Sequence, residues 1–210
     1  MKRKVGIALM MLGVILLMGA LGLFIYNYQE GERAAAASAA LMPKINAAIQ
    51  ANTQTDPSAS TQNDIKIPAY MEQERPVMKT VEIDGREYIG YLAIPKLGLE
   101  LPVMSDWSME NLKISPARYY GTTMEENLVI VAHNYKKHFG PIRRLKAGDE
   151  VIFVDMENNV TVYNVVVTDA VVPTAVEEVT AGVFDLALVT CTYGGKTRLV
   201  VYCDKYVPTK

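Results

Sequence analysis

The sequence LVTCTYGGKTRLVVY, residues 188–202, carries two apolar, β-branched runs on either side of Gly194 and Gly195. A glycine pair between such runs is typical of a two-residue type I′ or II′ hairpin turn, because these turns need positive φ angles. A hairpin centred on this pair places Cys191 opposite Arg198, with the two Cβ atoms roughly 4.5–5.5 Å apart on one face of the sheet. The stretch therefore predicts a thiol beside a guanidinium group.

A cysteine beside an arginine has a chemical use. The thiolate is the nucleophilic form of cysteine, and a neighbouring permanent cation favours it. The guanidinium group can also donate hydrogen bonds to an oxyanion that forms close by. Free cysteines are otherwise most often small, inert core residues. The hypothesis of a nucleophilic Cys191 therefore depends on Arg198 and on a suitable histidine.

The chain has two histidines, His133 and His138. His133 follows an apolar run that predicts a buried strand over residues 127–133, whereas His138 lies in a polar loop. A general base must be held within hydrogen-bond reach of its proton, and the end of a core strand holds a side chain better than a loop does. We therefore predict that His133 is the catalytic acid and base; the alternative, a histidine that only caps its strand, stays open.

Residues 5–26 form an uncharged apolar segment. As a helix of about 33 Å it would cross the core of a bilayer. Basic residues precede it at 2–4, whereas the segment at 30–33 is mixed in charge, so the positive-inside rule predicts a cytoplasmic N-terminus and an extracellular catalytic domain in a single-pass membrane protein. A cleaved signal peptide is the alternative, but the apolar run is longer than the ~7–15 residues usual for such a peptide.

Residues 27–79 are rich in Ala, Ser, Thr, Gln and Asn, with four scattered prolines. This composition predicts a linker, with a helix over residues 34–51 interrupted near Pro43 and a flexible tether over residues 52–64. The predicted domains are a basic tip and membrane anchor at 1–26, an extracellular linker at 27–79 and a catalytic domain at 80–210.

Short runs of strand-forming residues follow residue 80 at nearly regular spacing, and turn residues such as Asp84-Gly85 separate them. With so little helix, this pattern predicts a closed or nearly closed, antiparallel-rich β-barrel. The hairpin register places Cys203 opposite Leu186, about 16 Å along the strand from Cys191 and on the other face, so no disulfide is expected.

Composition excludes some classes of function. The 210-residue chain has a net charge of −2, and the residues after the basic tip carry −5, so nucleic-acid binding is not expected. The two histidines have no carboxylate spaced to join them in a ligand set, and the two cysteines point to opposite faces. We therefore predict no metal site and no cofactor.

The folded region resembles the sortases, which are membrane-anchored cysteine transpeptidases of Gram-positive bacteria. The resemblance rests on five segments in the order of that family: residues 90–103, Tyr120-Gly121-Thr122, Ala132-His133-Asn134 with Phe139-Gly140-Pro141-Ile142, Leu188-Val189-Thr190-Cys191, and Arg198. It implies an eight-stranded sortase-type β-barrel with short helices. A housekeeping or class D type fits best.

The resemblance also implies a mechanism. Cys191 would cleave a Leu-Pro-x-Thr-Gly-like sorting signal between Thr and Gly and form a thioester, which a cell-wall amine would resolve. His133 would act as acid and base, Arg198 would bind substrate carbonyls and the oxyanion, and Thr190 and Thr192 would contact the substrate. Sorting-signal peptides of surface proteins and a cell-wall precursor or other amine are the implied partners.

Two features depart from the family pattern: Ala187 replaces the first Thr of the cysteine signature, and the interval between Cys191 and Arg198 is short. Two other functions stay open. One is an L,D-transpeptidase-like peptidoglycan enzyme, although its Ser-x-Gly-Cys-x-Arg pattern is absent from the sequence. The other is an inactive, membrane-tethered binding domain.

Overall fold

The computed structural model describes residues 2–54 and 77–207. Its helices and strands are α1 (Lys2–Gln54), β1 (Val81–Ile83), β2 (Arg86–Ile94), β3 (Leu99–Met104), β4 (Ala117–Tyr120), β5 (Leu128–Val131), β6 (Glu150–Asp155), β7 (Val160–Val171), α2 (Val176–Val179), β8 (Leu186–Cys191) and β9 (Arg198–Lys205). Short 3₁₀ helices lie at Pro95–Leu97, Asn111–Lys113 and Gly140–Arg144.

Strands β2 to β9 form a closed barrel in the order β2-β3-β4-β5-β8-β9-β7-β6, and β6 pairs back onto β2. The pairs β3–β4 and β5–β8 are parallel, and the other pairs are antiparallel. β1 adds a hairpin to β2 through the predicted turn, where Asp84 and Gly85 both have positive φ. The predicted closed eight-stranded barrel is therefore confirmed, in a mixed form.

Gly90 permits the closure of the barrel. It follows an irregularity in the β2–β3 register and pairs with Asp155 of β6. Its φ is 146°, and a Cβ atom here would overlap the Val154 carbonyl oxygen. Only glycine combines this backbone conformation with so close an approach. Any side chain at this position would separate β2 from β6.

The two faces of β8 and β9 point into different apolar clusters. Leu186 and Leu188 point into the barrel together with Val201 and Cys203. Ala187 and Val189 point outward, into a second cluster that includes residues of β7. Because side chains alternate along a strand, Cys191 continues the outward face, and the cysteines point in opposite directions as predicted. Both cysteines are free thiols.

Helix α1 is continuous and passes through Pro43, where an interruption was expected. On both sides of this proline, Leu41, Ile45 and Ile49 are buried against barrel residues that include Tyr88. Each buried side chain contributes about 1.5–3 kcal/mol, which together exceeds the ~3 kcal/mol that an interior proline costs a helix. Packing on the barrel therefore maintains the helix.

Part of the predicted linker is thus a helix packed on the barrel, since residues 34–52 of α1 contact it. The prediction for residues 55–76 lies outside the described residues. The domain boundaries remain a prediction. Toward the other end of α1, large apolar side chains between Leu9 and Tyr26 are exposed. In the described part of the chain, α1 alone is long and apolar enough to cross a membrane. This segment fits a membrane anchor.

Candidate active site

The β8–β9 hairpin has the predicted register, with Cys191 paired with Arg198. Its turn is longer than predicted. The Thr192 N–H donates to the Thr197 carbonyl at 3.1 Å, and the Gly195 N–H donates to the Thr192 carbonyl at 2.9 Å. The connection is thus a four-residue loop that contains a β-turn, with positive φ at Gly194 and Gly195. The register is unchanged because the loop is centred on the same glycine pair.

The two threonines beside Cys191 use their hydroxyl groups within the protein. Thr190 is buried, and its Oγ1 donates to the Ala132 carbonyl at 2.9 Å. Thr192 Oγ1 lies 2.9 Å from Thr197 Oγ1 and 3.1 Å from the Thr197 carbonyl oxygen. The Thr190 hydroxyl holds the end of β8 to Ala132, and the Thr192 hydroxyl closes the β8–β9 loop. The substrate contacts expected of Thr190 and Thr192 stay a prediction.

The parallel pairing of β5 with β8 brings His133 to Cys191. Val131 pairs with Val189, and the Ala132 N–H donates to the Val189 carbonyl at 3.1 Å. Continued by two residues, this register sets His133 opposite Cys191 on the neighbouring strand, and neighbouring strands lie ≈ 4.7–4.9 Å apart. His133, Cys191 and Arg198 thus lie at one end of three adjacent strands.

These three residues line one pocket of about 300 Å³. The rest of its wall is mainly apolar and consists of Trp107, Met109, Leu112, Tyr119, Val131, Ala132, Pro173, Val189 and Thr190. A second apolar pocket over β7 and α2 shares Tyr119, Pro173 and Arg198 with the first. The two together form an apolar groove that ends at the cysteine.

The β8–β9 loop holds the guanidinium group of Arg198. Arg198 Nη1 donates to the Gly195 carbonyl at 3.1 Å and to the Thr197 carbonyl at 3.3 Å. Both acceptors belong to the loop that starts directly after Cys191. The loop therefore fixes one edge of the guanidinium group, and Arg198 lines the pocket.

Burial lowers the pKa of His133 below its usual value of 6.5. The nearby Lys113 ammonium group acts in the same direction, and the Glu30 carboxylate of α1 opposes it. The His133 imidazole is therefore mainly neutral at pH 7, the form that accepts a proton. Its ring also packs against Tyr135, with ring centroids 4.8 Å apart.

The sortase domain family model matches residues 92–206, which is more than half of the chain. The chain belongs to the sortase family.

Individual sortases match with moderate identity. Sortase A of Bacillus anthracis is 32% identical over 120 residues, which cover 52% of this chain and 54% of the relative. This sortase therefore spans about half the length of the curated relative that it matches. The structure of sortase C1 from Streptococcus agalactiae is 26% identical with a TM-score of 0.52, covering 61% of this chain and 72% of that one. A Clostridium perfringens sortase D5 transpeptidase has 21% identity and a TM-score of 0.51, covering 57% and 79%, and shows the shared fold.

The second histidine of this sortase is buried and contacts α1, in contrast to the polar loop expected from the sequence. His138 Nε2 lies 3.1 Å from Ser38 Oγ, and burial lowers the His138 pKa to about 4. Ser38 donates its hydroxyl hydrogen to the Ile114 carbonyl at 2.6 Å. Since a hydroxyl carries one hydrogen, Ser38 accepts from the Nε2–H of His138.

The contacts between α1 and the histidine segment were not predicted. A Cβ atom at Gly31 of α1 would lie 3.7 Å from the Tyr135 side chain, and the Tyr135 ring lies beside both His133 and His138, tilted by 37° and 50° to their rings. A signal was present in the sequence: small or apolar residues recur at helical spacing in the predicted linker, at positions 34, 38, 41, 45 and 49. The many alanines and Pro43 obscured this stripe.

Proposed function

We propose that this sortase is a cysteine transpeptidase that cleaves a Leu-Pro-x-Thr-Gly-like sorting signal between Thr and Gly and joins the new carboxyl end to a cell-wall amine. The observation that supports this most is the strand register, which sets His133, Cys191 and Arg198 at one end of β5, β8 and β9. All three line the same pocket. A nucleophile, a base and an oxyanion donor around one space are what acyl transfer requires.

The proposed roles divide the reaction into two steps. The neutral His133 takes the Cys191 proton, and the thiolate attacks the threonine carbonyl carbon. The carbon–nitrogen bond then breaks, the thioester forms, and His133 returns the proton to the leaving glycine amine. In the second step the incoming amine attacks the thioester and His133 takes a proton from this amine. The carbon–sulfur bond then breaks, and His133 gives the proton to the departing Cys191 thiolate. Arg198 donates to the oxyanion in both steps.

The groove next to Cys191 suits the first half of such a signal. Its walls carry apolar side chains, among them Tyr119, Val131 and Pro173. A leucine-proline segment buries apolar surface and has no N–H at the proline, so a largely apolar wall accommodates it without unpaired donors. We place that segment along the groove, with the threonine carbonyl at Cys191.

The proposal includes the orientation in the membrane. The basic residues 2–4 stay in the cytoplasm, the apolar half of α1 crosses the bilayer, and the barrel lies outside. In this position the barrel meets secreted proteins that carry sorting signals and amines of cell-wall precursors. These are the proposed partners.

Mass spectrometry of the full-length chain in detergent tests the activity. The chain is incubated with a peptide that contains Leu-Pro-x-Thr-Gly and a glycine-based amine. A thioester on Cys191 and a product in which the threonine carboxyl group is joined to the amine are expected. A matched peptide with alanine in place of the proline is the control.

Three outcomes separate the alternatives. Products from the sorting peptide alone support a sortase reaction. Acylation of Cys191 by peptidoglycan stem peptides instead would support the L,D-transpeptidase-like reaction. Peptide binding without a thioester and without product would support an inactive binding domain.

A further inference from the structure

A large basic groove lies apart from Cys191, between α1 and the histidine segment. It encloses about 730 Å³. Its lining includes Ala35, Ser38 and Ala39 of α1 and residues 97–101. Four cationic side chains also line it: Lys136, Lys137, Arg143 and Arg144. The active-site reaction proposed above uses none of these four residues.

The charge of the groove is only partly balanced. Glu100 is the acidic residue among its lining residues. Glu32 of α1 lies 3.5 Å from Lys137 Nζ, but both side chains are substantially exposed, so this ion pair is weak. Arg143 lies over the Tyr193 ring at 4.6 Å, which leaves its charge in place. The groove is therefore suited to an anion.

One end of the groove, at Lys137, lies close to the end of the apolar segment of α1. Tyr26 and Tyr28 are exposed at the end of the apolar run, and tyrosines in this position are typical of the boundary between membrane and water. Glu32, the contact of Lys137, follows Tyr26 by six residues, or about 9 Å along a helix. A headgroup layer is about 5–8 Å thick on each side of a bilayer. Lys137 therefore lies near the headgroups.

Helix α1 fixes the distance between its own apolar segment and the groove. It runs without interruption from the apolar segment to the groove. Ser38 donates to the Ile114 carbonyl and lies 3.1 Å from His138 Nε2, and Ala34 is buried. The barrel therefore cannot move away from the membrane without either bending the helix or losing these contacts.

We propose that the Lys137 end of this groove binds the phosphate headgroups of anionic phospholipids in the membrane that holds α1, and so holds the barrel against the membrane surface. The proposal rests on the membrane anchoring proposed above. A phosphate matches the four cations, which present guanidinium forks and ammonium groups. Each cation near an anionic surface typically strengthens binding about fivefold.

Lysine labelling of the full-length chain in lipid nanodiscs tests this proposal. Discs of phosphatidylcholine are compared with discs that contain roughly one third phosphatidylglycerol, where attraction to surface charge is typically about fivefold per cation. An amine-acylating reagent is used, and the labelling rate of Lys137 is read by mass spectrometry. We expect this rate to fall at least about threefold in the anionic discs and to recover in ~1 M salt, where the Debye length is ~3 Å.

Two variants with the same change in charge provide the control. Lys136→Glu/Arg144→Glu alters the groove, and the protection of Lys137 should disappear. Lys79→Glu/Lys146→Glu alters exposed lysines that do not line the groove, and the protection should remain. Equal labelling of Lys137 in both kinds of disc, or equal loss of protection in both variants, would overturn the proposal.

Two further outcomes are informative. Protection of Lys137 by inorganic phosphate in neutral discs would assign the groove to free phosphate and overturn the lipid assignment. Failure of the chain to enter the discs would refute the anchoring and this proposal together. Incorporation into the discs without protection refutes this proposal alone.

Discussion

Ser38 of α1 accepts a hydrogen bond from His138, with Oγ and Nε2 3.1 Å apart, and donates to the Ile114 carbonyl. One hydroxyl thus joins α1 to the histidine segment and to the segment that follows the 3₁₀ helix at Asn111–Lys113. Tyr135 lies between His138 and His133. The part of α1 beyond the apolar segment therefore packs against the barrel, although it was expected to be a linker.

Ser38→Ala tests this junction. The substitution leaves the buried His138 Nε2–H and the Ile114 carbonyl without their partner, which typically costs about 1–3 kcal/mol. We expect the free energy of unfolding to fall by that amount and the melting temperature to fall with it. Thr53→Ala is the control, because Thr53 Oγ1 donates only to Ile49 of the same helix and Thr53 is exposed. Equal melting temperatures for the two variants would contradict a structural role of Ser38.

Ile45→Ala tests the docking of the helix. Ile45 has 0% exposure and packs in the cluster with Tyr88 and Met104, so its truncation should cost about 2–5 kcal/mol. The neighbouring Asn46 is exposed, and Asn46→Ala should change the free energy of unfolding by less than ~0.5 kcal/mol. Denaturant unfolding of both variants gives the difference. A small effect of Ile45→Ala would mean that this segment is a linker in solution.

The sequence predicted those parts of the site that are determined locally. Gly194 and Gly195 fix the centre of the β8–β9 hairpin, and alternation then determines that Cys191 meets Arg198 and that Cys203 points into the barrel. The turn itself was predicted too short, because Thr192 and Thr197 pair and close a four-residue loop. The register does not depend on this difference.

Features that depend on distant contacts were not predicted. β4 consists of the four residues Ala117–Tyr120 and includes a register irregularity, and its buried and exposed side chains do not alternate regularly. Only its neighbours in the barrel therefore identify it as a strand. The helix at Pro43 forms because Leu41 and Ile45 are buried on the barrel. Burial of His138 likewise needs α1, which lies 100 residues away along the chain.

The two cysteines should behave differently. Cys191 is partly exposed, whereas Cys203 is fully buried and burial raises its pKa. A thiol-reactive probe should label Cys191 of the native chain and reach Cys203 only after unfolding. Cys191→Ala should abolish thioester formation, and Cys203→Ala should retain it with a modest loss of stability. Comparable loss of activity in both folded variants would refute the assignment of the nucleophile.

Arg198→Lys should lower kcat/KM by about 10²-fold, the usual cost of removing one oxyanion donor. A lysine ammonium group keeps the charge but cannot bond Gly195 and Thr197 while it presents a planar pair of donors to the substrate. Arg143→Lys, on the other side of the same loop, keeps a cation near Tyr193 and serves as the control. Near-normal kcat/KM in Arg198→Lys would show that charge alone suffices.

The two histidines should differ in their effect on activity. His133→Gln should lower kcat/KM by at least about 10²–10⁴-fold, because the glutamine cannot transfer a proton. His138→Gln keeps an N–H donor for Ser38 and should retain kcat/KM within about tenfold. If His138→Gln were inactive and His133→Gln active, with both variants folded, the acid and base would have to be assigned to His138.

The dependence of stability on pH tests the burial of His138 independently. The pKa of His138 is about 4 in the folded chain, below its ordinary value of 6.5, so between these values the unfolded chain binds more protons. The stability contributed by a neutral, buried His138 is therefore fully present above pH 6.5 and is lost as the pH falls toward 4. By linkage the loss is on the order of 3 kcal/mol. Wild type should lose more stability than His138→Gln between pH 7 and pH 4 in thermal unfolding, and parallel curves for the two proteins would show that His138 is not buried as a neutral group.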